Sequence, residues 1–130
     1  MSKTREDWVR EFRKAGDSPD FNTAEPNPEH TNLIFNCISE EFNEFLEAAL
    51  FYQRDPLDEE IRANLCKEWA DLQYVVSQAA CYYNIPSEPA FVRVAENNLT
   101  KVADNGKLVK REDGKILKPE GYVPADMRGL

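Results

Sequence analysis

Two stretches of this chain repeat apolar residues every three or four positions, and each sets a pair of acids one helical turn apart against the apolar side. In residues 34–52, Ile34, Ile38, Phe42, Phe45, Ala49 and Tyr52 form one stripe of an α-helix, while Glu41 and Glu44 fall on the side of Cys37 and Ala48 and border that stripe. In residues 61–83, Ile61, Leu65, Trp69, Leu72, Val76, Ala79 and Tyr83 form the expected buried stripe, with Glu68 beside it and Asp71 at its edge. Like charges one turn apart cost a surface helix a few tenths of a kcal/mol. At a separation of about 4 Å in an effective dielectric of about 20 their repulsion reaches about 4 kcal/mol. Something positive should offset it. A divalent cation is the simplest candidate, because hard cations take oxygen ligands and two facing helices can deliver four carboxylates to one point.

The 130 residues suit one domain with its own core and leave no room for a second. Long periodic segments make the expected fold class all-α. A net charge of −8 argues against a nucleic-acid surface, which is normally basic, although an acidic protein can still meet phosphates through metal. The first residues, MSKTREDWVREF, lack the apolar core of a signal peptide, and no stretch approaches the roughly 18 apolar residues of a membrane span. The expectation is a soluble, cytoplasmic protein that binds neither nucleic acid nor membrane. Cys37, Cys66 and Cys81 are odd in number, match no zinc spacing and each lie in a helical pattern, so they read as reduced core residues. With His30 as the one histidine, a di-iron bundle using Glu-x-x-His from two helices is excluded. His30 itself reads as a first-turn surface residue.

Along the chain, Trp8 and Phe12 within residues 5–15 suggest a short helix pinned by two aromatics, with Gly16 as its stop. Pro19, Pro26 and Pro28 then break regular structure, and residues 17–28 read as a surface loop. Asn27 and Pro28 are the N-cap and first residue of a second helix that runs to 52 or 54. Asp55-Pro56 ends it, and Asp58 caps a third helix that runs to about 84. With the turn centred near residue 56, Glu44 and Glu68 each lie about 12 residues away, a rise of roughly 18 Å on either side. The two acid pairs should therefore meet at one height. A fourth helix is expected from about 88 to 102, with Phe91, Val94, Ala95 and Val102 on its apolar face, Asn98 among them and Lys101 at the border. In residues 107–118, Asp113-Gly114 between two short runs signals a type I′ hairpin, and the Pro- and Gly-rich residues 119–130 read as an extended tail.

The string 40-EEFNE-44 followed by 68-EWAD-71 resembles the EExxE…ExxD signature of the MazG-like all-alpha nucleoside triphosphate pyrophosphatases. A third motif, 98-NLTK-101, together with the tail DGKILKPEGYVPADMRGL, is similar to the phosphoribosyl-ATP pyrophosphohydrolase-like branch of that superfamily. The resemblance covers nearly the whole chain. It implies a four-helix all-alpha bundle, here with a short C-terminal hairpin and tail. The implied activity is Mg²⁺-dependent hydrolysis of a nucleoside triphosphate to monophosphate and pyrophosphate, with Mn²⁺ as an alternative metal. By motif position, Glu41, Glu44, Glu68 and Asp71 would hold metal, Glu40 would orient or deprotonate the attacking water, and Asn98 and Lys101 would touch phosphates or sugar. Lys115 and Lys118 are further substrate-binding candidates if the hairpin covers the substrate. The resemblance also implies a homodimer or homotetramer. Two other readings stay open: phosphoribosyl-ATP as the substrate, and a non-catalytic helical dimerisation module that binds metal for stability.

Overall fold

Side-chain oxygens cap the first three helices. In the computed structural model, which describes residues 2–16 and 27–130, Thr4 caps helix α1 (Arg5–Ala15) through a reciprocal pair: its Oγ1 accepts from Asp7 N at 3.1 Å and its own N–H donates to Asp7 Oδ2 at 2.9 Å. Residues 17–26 of the expected loop lie outside the described residues. Asn27 Oδ1 accepts from Glu29 N at 2.8 Å and Pro28 takes the first position of α2 (Pro28–Arg54), as expected. Asp58 Oδ1 accepts from the N–H groups of Glu60 and Ile61 at 2.9 and 3.1 Å and opens α3 (Glu59–Tyr82). That helix stops where Asn84 takes a φ of 53°, the left-handed region that Asn tolerates better than most residues, and Ile85 N donates back to Ala80 O at 2.8 Å. Helix α4 covers Ser87–Leu99 and is followed by tighter i→i+3 turns at Thr100, Lys101 and Val102, so it ends three residues before the expected boundary.

The chain forms two compact units, Met1–Ile85 and Pro86–Leu130. In the first, the four-residue connection between α2 and α3 folds them back along one another, and α1 packs on α3. Val9, Ile34, Ala48, Ala80, Cys81 and Tyr82 are the buried apolar residues among those described. Burial of Val9, 1% exposed, stabilises by roughly 1.5–3 kcal/mol and is what pins α1. The two aromatics expected in that role are more than half exposed. Phe12 meets Tyr74 edge-on, at 6.2 Å between centroids, and Lys3 lies over the Trp8 ring. Tyr82 Oη ties the start of α2 to the end of α3 by accepting from Asn27 N at 2.7 Å, and Tyr83 Oη donates to Thr31 Oγ1 at 2.7 Å.

The expected stripes are only partly buried. Phe42, Trp69 and Val76 stand exposed, while Ala48, Ser77 and Ala80 occupy the helix contacts. Small residues let the helix backbones approach, and Trp69, though more than half exposed, still meets Phe45 of α2 at 5.6 Å between ring centroids. Of the three cysteines expected in the core, Cys81 is buried and its thiol meets Glu6 O at 3.6 Å, Cys37 is half-buried, and Cys66 is exposed; all three are free thiols.

In the second unit the expected hairpin does not form. One bridge pairs Lys110 with Ile116, and no strand extends it among the described residues. Gly114 has a φ of 89°, but Asp113 stays at negative φ, whereas a type I′ turn needs positive φ at both central residues. The turn instead closes at 111–114 through Gly114 N to Arg111 O, 2.9 Å, and Asp113 serves it by accepting from Arg111 and from Lys115 N. Its flanks are exposed and largely charged, and such a ribbon has no buried face to lengthen the ladder. The described residues thus contain four helices and no sheet. No described helix is long and apolar enough to cross a membrane.

Candidate active site

Glu41 and Glu44 project from α2, and Glu68 and Asp71 from α3. One carboxylate oxygen from each can be chosen so that all four lie within 4.8 Å of one another. Equal rise from the 55–58 turn places the pairs at one height, as the spacing requires. Burial is graded: Glu68 is 9% exposed, Glu41 and Asp71 are half-buried and Glu44 is exposed, so the cluster opens to solvent beside Glu44.

Two oxygens within the cluster, Glu41 Oε2 and Glu68 Oε2, are buried without a hydrogen-bond partner. A buried ionised carboxylate oxygen left unpaired costs several kcal/mol in effect. The stress registers on Glu41: burial first, then the charges of Glu44 and Asp71, push its carboxyl above the ordinary value. Among the described residues one cation, Lys67, reaches the group. Lys67 Nζ donates to Asp71 Oδ2 at 2.8 Å and to Glu68 Oε1 at 3.4 Å, and those contacts raise its own pKa. Four carboxylates against one largely exposed ammonium leave the cluster strongly negative. Donors that are all carboxylate oxygens, two of them buried and unsatisfied, fit a hard divalent cation such as Mg²⁺ or Mn²⁺ and suit soft thiophilic ions poorly.

The structure thus brings together Glu41, Glu44, Glu68 and Asp71. Glu40 is exposed on the same helix, one turn before Glu44, and is not among the four that converge. In the second unit Asn98 is exposed at the end of α4, where its carbonyl accepts from Lys101 N at 3.1 Å. Lys101 Nζ lies 5.5 Å from the centroid of the Tyr122 ring, and Lys118 Nζ lies 5.4 Å from the same centroid. Lys115 is exposed, its N–H bound to Asp113 Oδ1 in the turn. Three residues were not singled out in the sequence. Lys67 was findable, since it stands four positions before Asp71. Asn97 and Tyr122 are joined at 2.7 Å across 25 residues, a pairing that no periodic pattern announces.

A family model described as phosphoribosyl-ATP pyrophosphohydrolase matches residues 9–98, a span that includes both acid pairs and Asn98 and stops before Lys101. A search of curated proteins returns no significant match. The match covers well over half of the chain and carries the acid spacing that the geometry assembles into one cluster: the chain belongs to the phosphoribosyl-ATP pyrophosphohydrolase family, within the MazG-like all-alpha nucleoside triphosphate pyrophosphatase superfamily.

Proposed function

We propose that this protein hydrolyses a (deoxy)nucleoside triphosphate to the monophosphate and pyrophosphate in a divalent-metal-dependent reaction. Family membership supports pyrophosphohydrolase activity on a nucleotide-like substrate. The observation that carries the reading to this chain is the four-carboxylate cluster with two buried, unpartnered oxygens. Glu41, Glu44, Glu68 and Asp71 would hold Mg²⁺ or Mn²⁺. When bound, such an ion supplies positive charge for the phosphate oxygens and acidifies water.

The chain's own groups do the rest. Glu40, exposed beside the cluster's helix face, accepts the proton of the attacking water. The water oxygen bonds to the α-phosphorus, and the bond from that phosphorus to the bridging oxygen of the β-phosphate breaks. Lys101 meets the negative charge that develops on the departing pyrophosphate, and Asn98 holds phosphate or sugar by hydrogen bonds. The 130 residues act as one catalytic domain in a homodimer or homotetramer in the cytoplasm. In support of assembly, Phe42, Leu46 and Leu50 on α2 are about half exposed at successive turns.

Deoxynucleotides, with dUTP or a damaged analogue first among them, are the preferred substrates in this reading. The family's description favours a second reading in which phosphoribosyl-ATP is the substrate and the same anhydride bond is cut. Incubating the protein and Mg²⁺ with canonical and modified triphosphates and with phosphoribosyl-ATP, then separating the products, decides between them. Orthophosphate as the sole product, or no product at all, would contradict both.

A further inference from the structure

We propose that Tyr122 is a positioning residue that holds Lys101 and Lys118 together as one polyphosphate-binding pair, so that the C-terminal tail adds a second cation to the motif lysine. The inference rests on the pyrophosphate-releasing reading for its biological use, but its binding claim can be tested without turnover. Both lysines and Tyr122 lie beyond residue 98, where the family match ends.

The ring is fixed from α4. Tyr122 Oη donates to Asn97 Oδ1 at 2.7 Å, and Asn97 Nδ2 donates to Val123 O at 2.8 Å. One turn earlier, Arg93 Nη1 donates to Asp126 O and Arg128 O at 3.0 and 2.9 Å. Arg93 and Asn97 stand one turn apart on α4 and both fasten the tail, and the motif lysine follows in the turns that close the helix. Tyr122 N donates to Pro119 O at 3.1 Å, and Gly121 at φ 79° gives the turn its shape. Lys118 enters that turn directly before Pro119.

Two ammonium groups are thereby brought to 5.5 and 5.4 Å from one ring centroid. Each is attracted by the ring, which offsets part of their mutual repulsion. Neither has a carboxylate partner in any ion pair among the described residues, although the chain holds 24 acids against 16 lysines and arginines. Two lysines gathered at one ring, and in no ion pair among the described residues, offer in an acidic protein a place for an anion with several charges. Inorganic pyrophosphate presents that chemistry.

The test is calorimetric titration of inorganic pyrophosphate into the metal-free full-length protein, compared with Lys118→Met, Tyr122→Leu and, as a control for overall charge, Lys110→Met. Losing one charge-assisted contact should weaken pyrophosphate binding roughly tenfold in Lys118→Met. Tyr122→Leu, which keeps both lysines, should lose a similar factor, while Lys110→Met stays within about twofold of wild type. Absence of binding by the wild type, or Lys118→Met binding no worse than Lys110→Met, overturns the proposal. Lys118 is exposed and its ammonium makes no hydrogen bond among the described residues, so its replacement decides the matter even if Tyr122→Leu fails to fold. Turnover separates the two claims. Pyrophosphate binding that depends on Lys118 in a protein inactive on every nucleotide leaves this inference standing and removes the hydrolase reading; full activity with no Lys118 dependence does the reverse.

Discussion

Glu68 is the most buried member of the acid cluster, and one of its oxygens has no partner. Replacing it by Gln keeps the shape and removes a charge. A ligand that binds the folded chain and scarcely the unfolded one raises stability by mass action, so Mg²⁺ or Mn²⁺ should raise the wild-type melting temperature and raise that of Glu68→Gln much less. An unchanged response in differential scanning calorimetry would remove Glu68 from the ligand set. Glu41 gives the same site a pH signature in chelator-treated protein. Burial and its acidic neighbours hold its folded pKa above the unfolded value, so the folded state binds the proton more tightly between those two values. Stability should be fully present below the unfolded value and be lost as pH rises through the raised one, and Glu41→Gln should flatten that dependence in melting curves. A wild-type curve that gains stability over the same window would contradict it.

At the scale of the elements, the caps that delimit α2 and α3 can be tested one at a time. Asp58→Ala removes an acceptor for two backbone N–H groups and should cost about 1 kcal/mol in chemical denaturation. Asn84→Ala keeps the β-carbon at a φ of 53° but loses the short polar side chain that eases that conformation, and should cost about 1 kcal/mol, whereas Asn84→Gly should be neutral or mildly stabilising. If alanine at position 84 left stability unchanged, the left-handed stop would not be what ends α3. These elements were legible in the sequence because Pro, Asn and Asp act locally: the start of α2 at Pro28, the cap at Asp58 and the meeting of the two acid pairs follow from spacing alone. What sequence left open was which neighbour each apolar residue meets. A period of 3.6 places Phe42 and Trp69 on an apolar stripe, but it does not tell that both rings stay about half exposed while Ala48, Ser77 and Ala80 are buried. The hairpin was misread because Asp113-Gly114 fits more than one turn, and backbone φ decides among them. The fastening of residues 122–128 to Arg93 and Asn97 depends on single hydrogen bonds between distant segments and has no periodic trace.

At the scale of the molecule, few apolar side chains are buried among the described residues, while Phe42, Leu46 and Leu50 are about half exposed and Phe91 and Leu99 more so. That much apolar surface is expected to be covered by further copies of the chain, and light scattering should give a dimer or tetramer; a stable species at the 15.0 kDa of one chain would count against it. The central claim concerns charge. On the proposed reading a nucleoside triphosphate enters a protein of net charge −8 at a cluster of four carboxylates, and only cations can reverse the local sign. The most direct measurement is pyrophosphate release from a panel of nucleoside triphosphates and phosphoribosyl-ATP with Mg²⁺, for wild type beside Glu41→Gln. The account predicts release of pyrophosphate and a monophosphate from at least one substrate, abolished by chelator and reduced by at least roughly a hundredfold in Glu41→Gln, the scale on which charge-stabilising groups of an active site act. No pyrophosphate from any substrate, or undiminished release by Glu41→Gln, would contradict it.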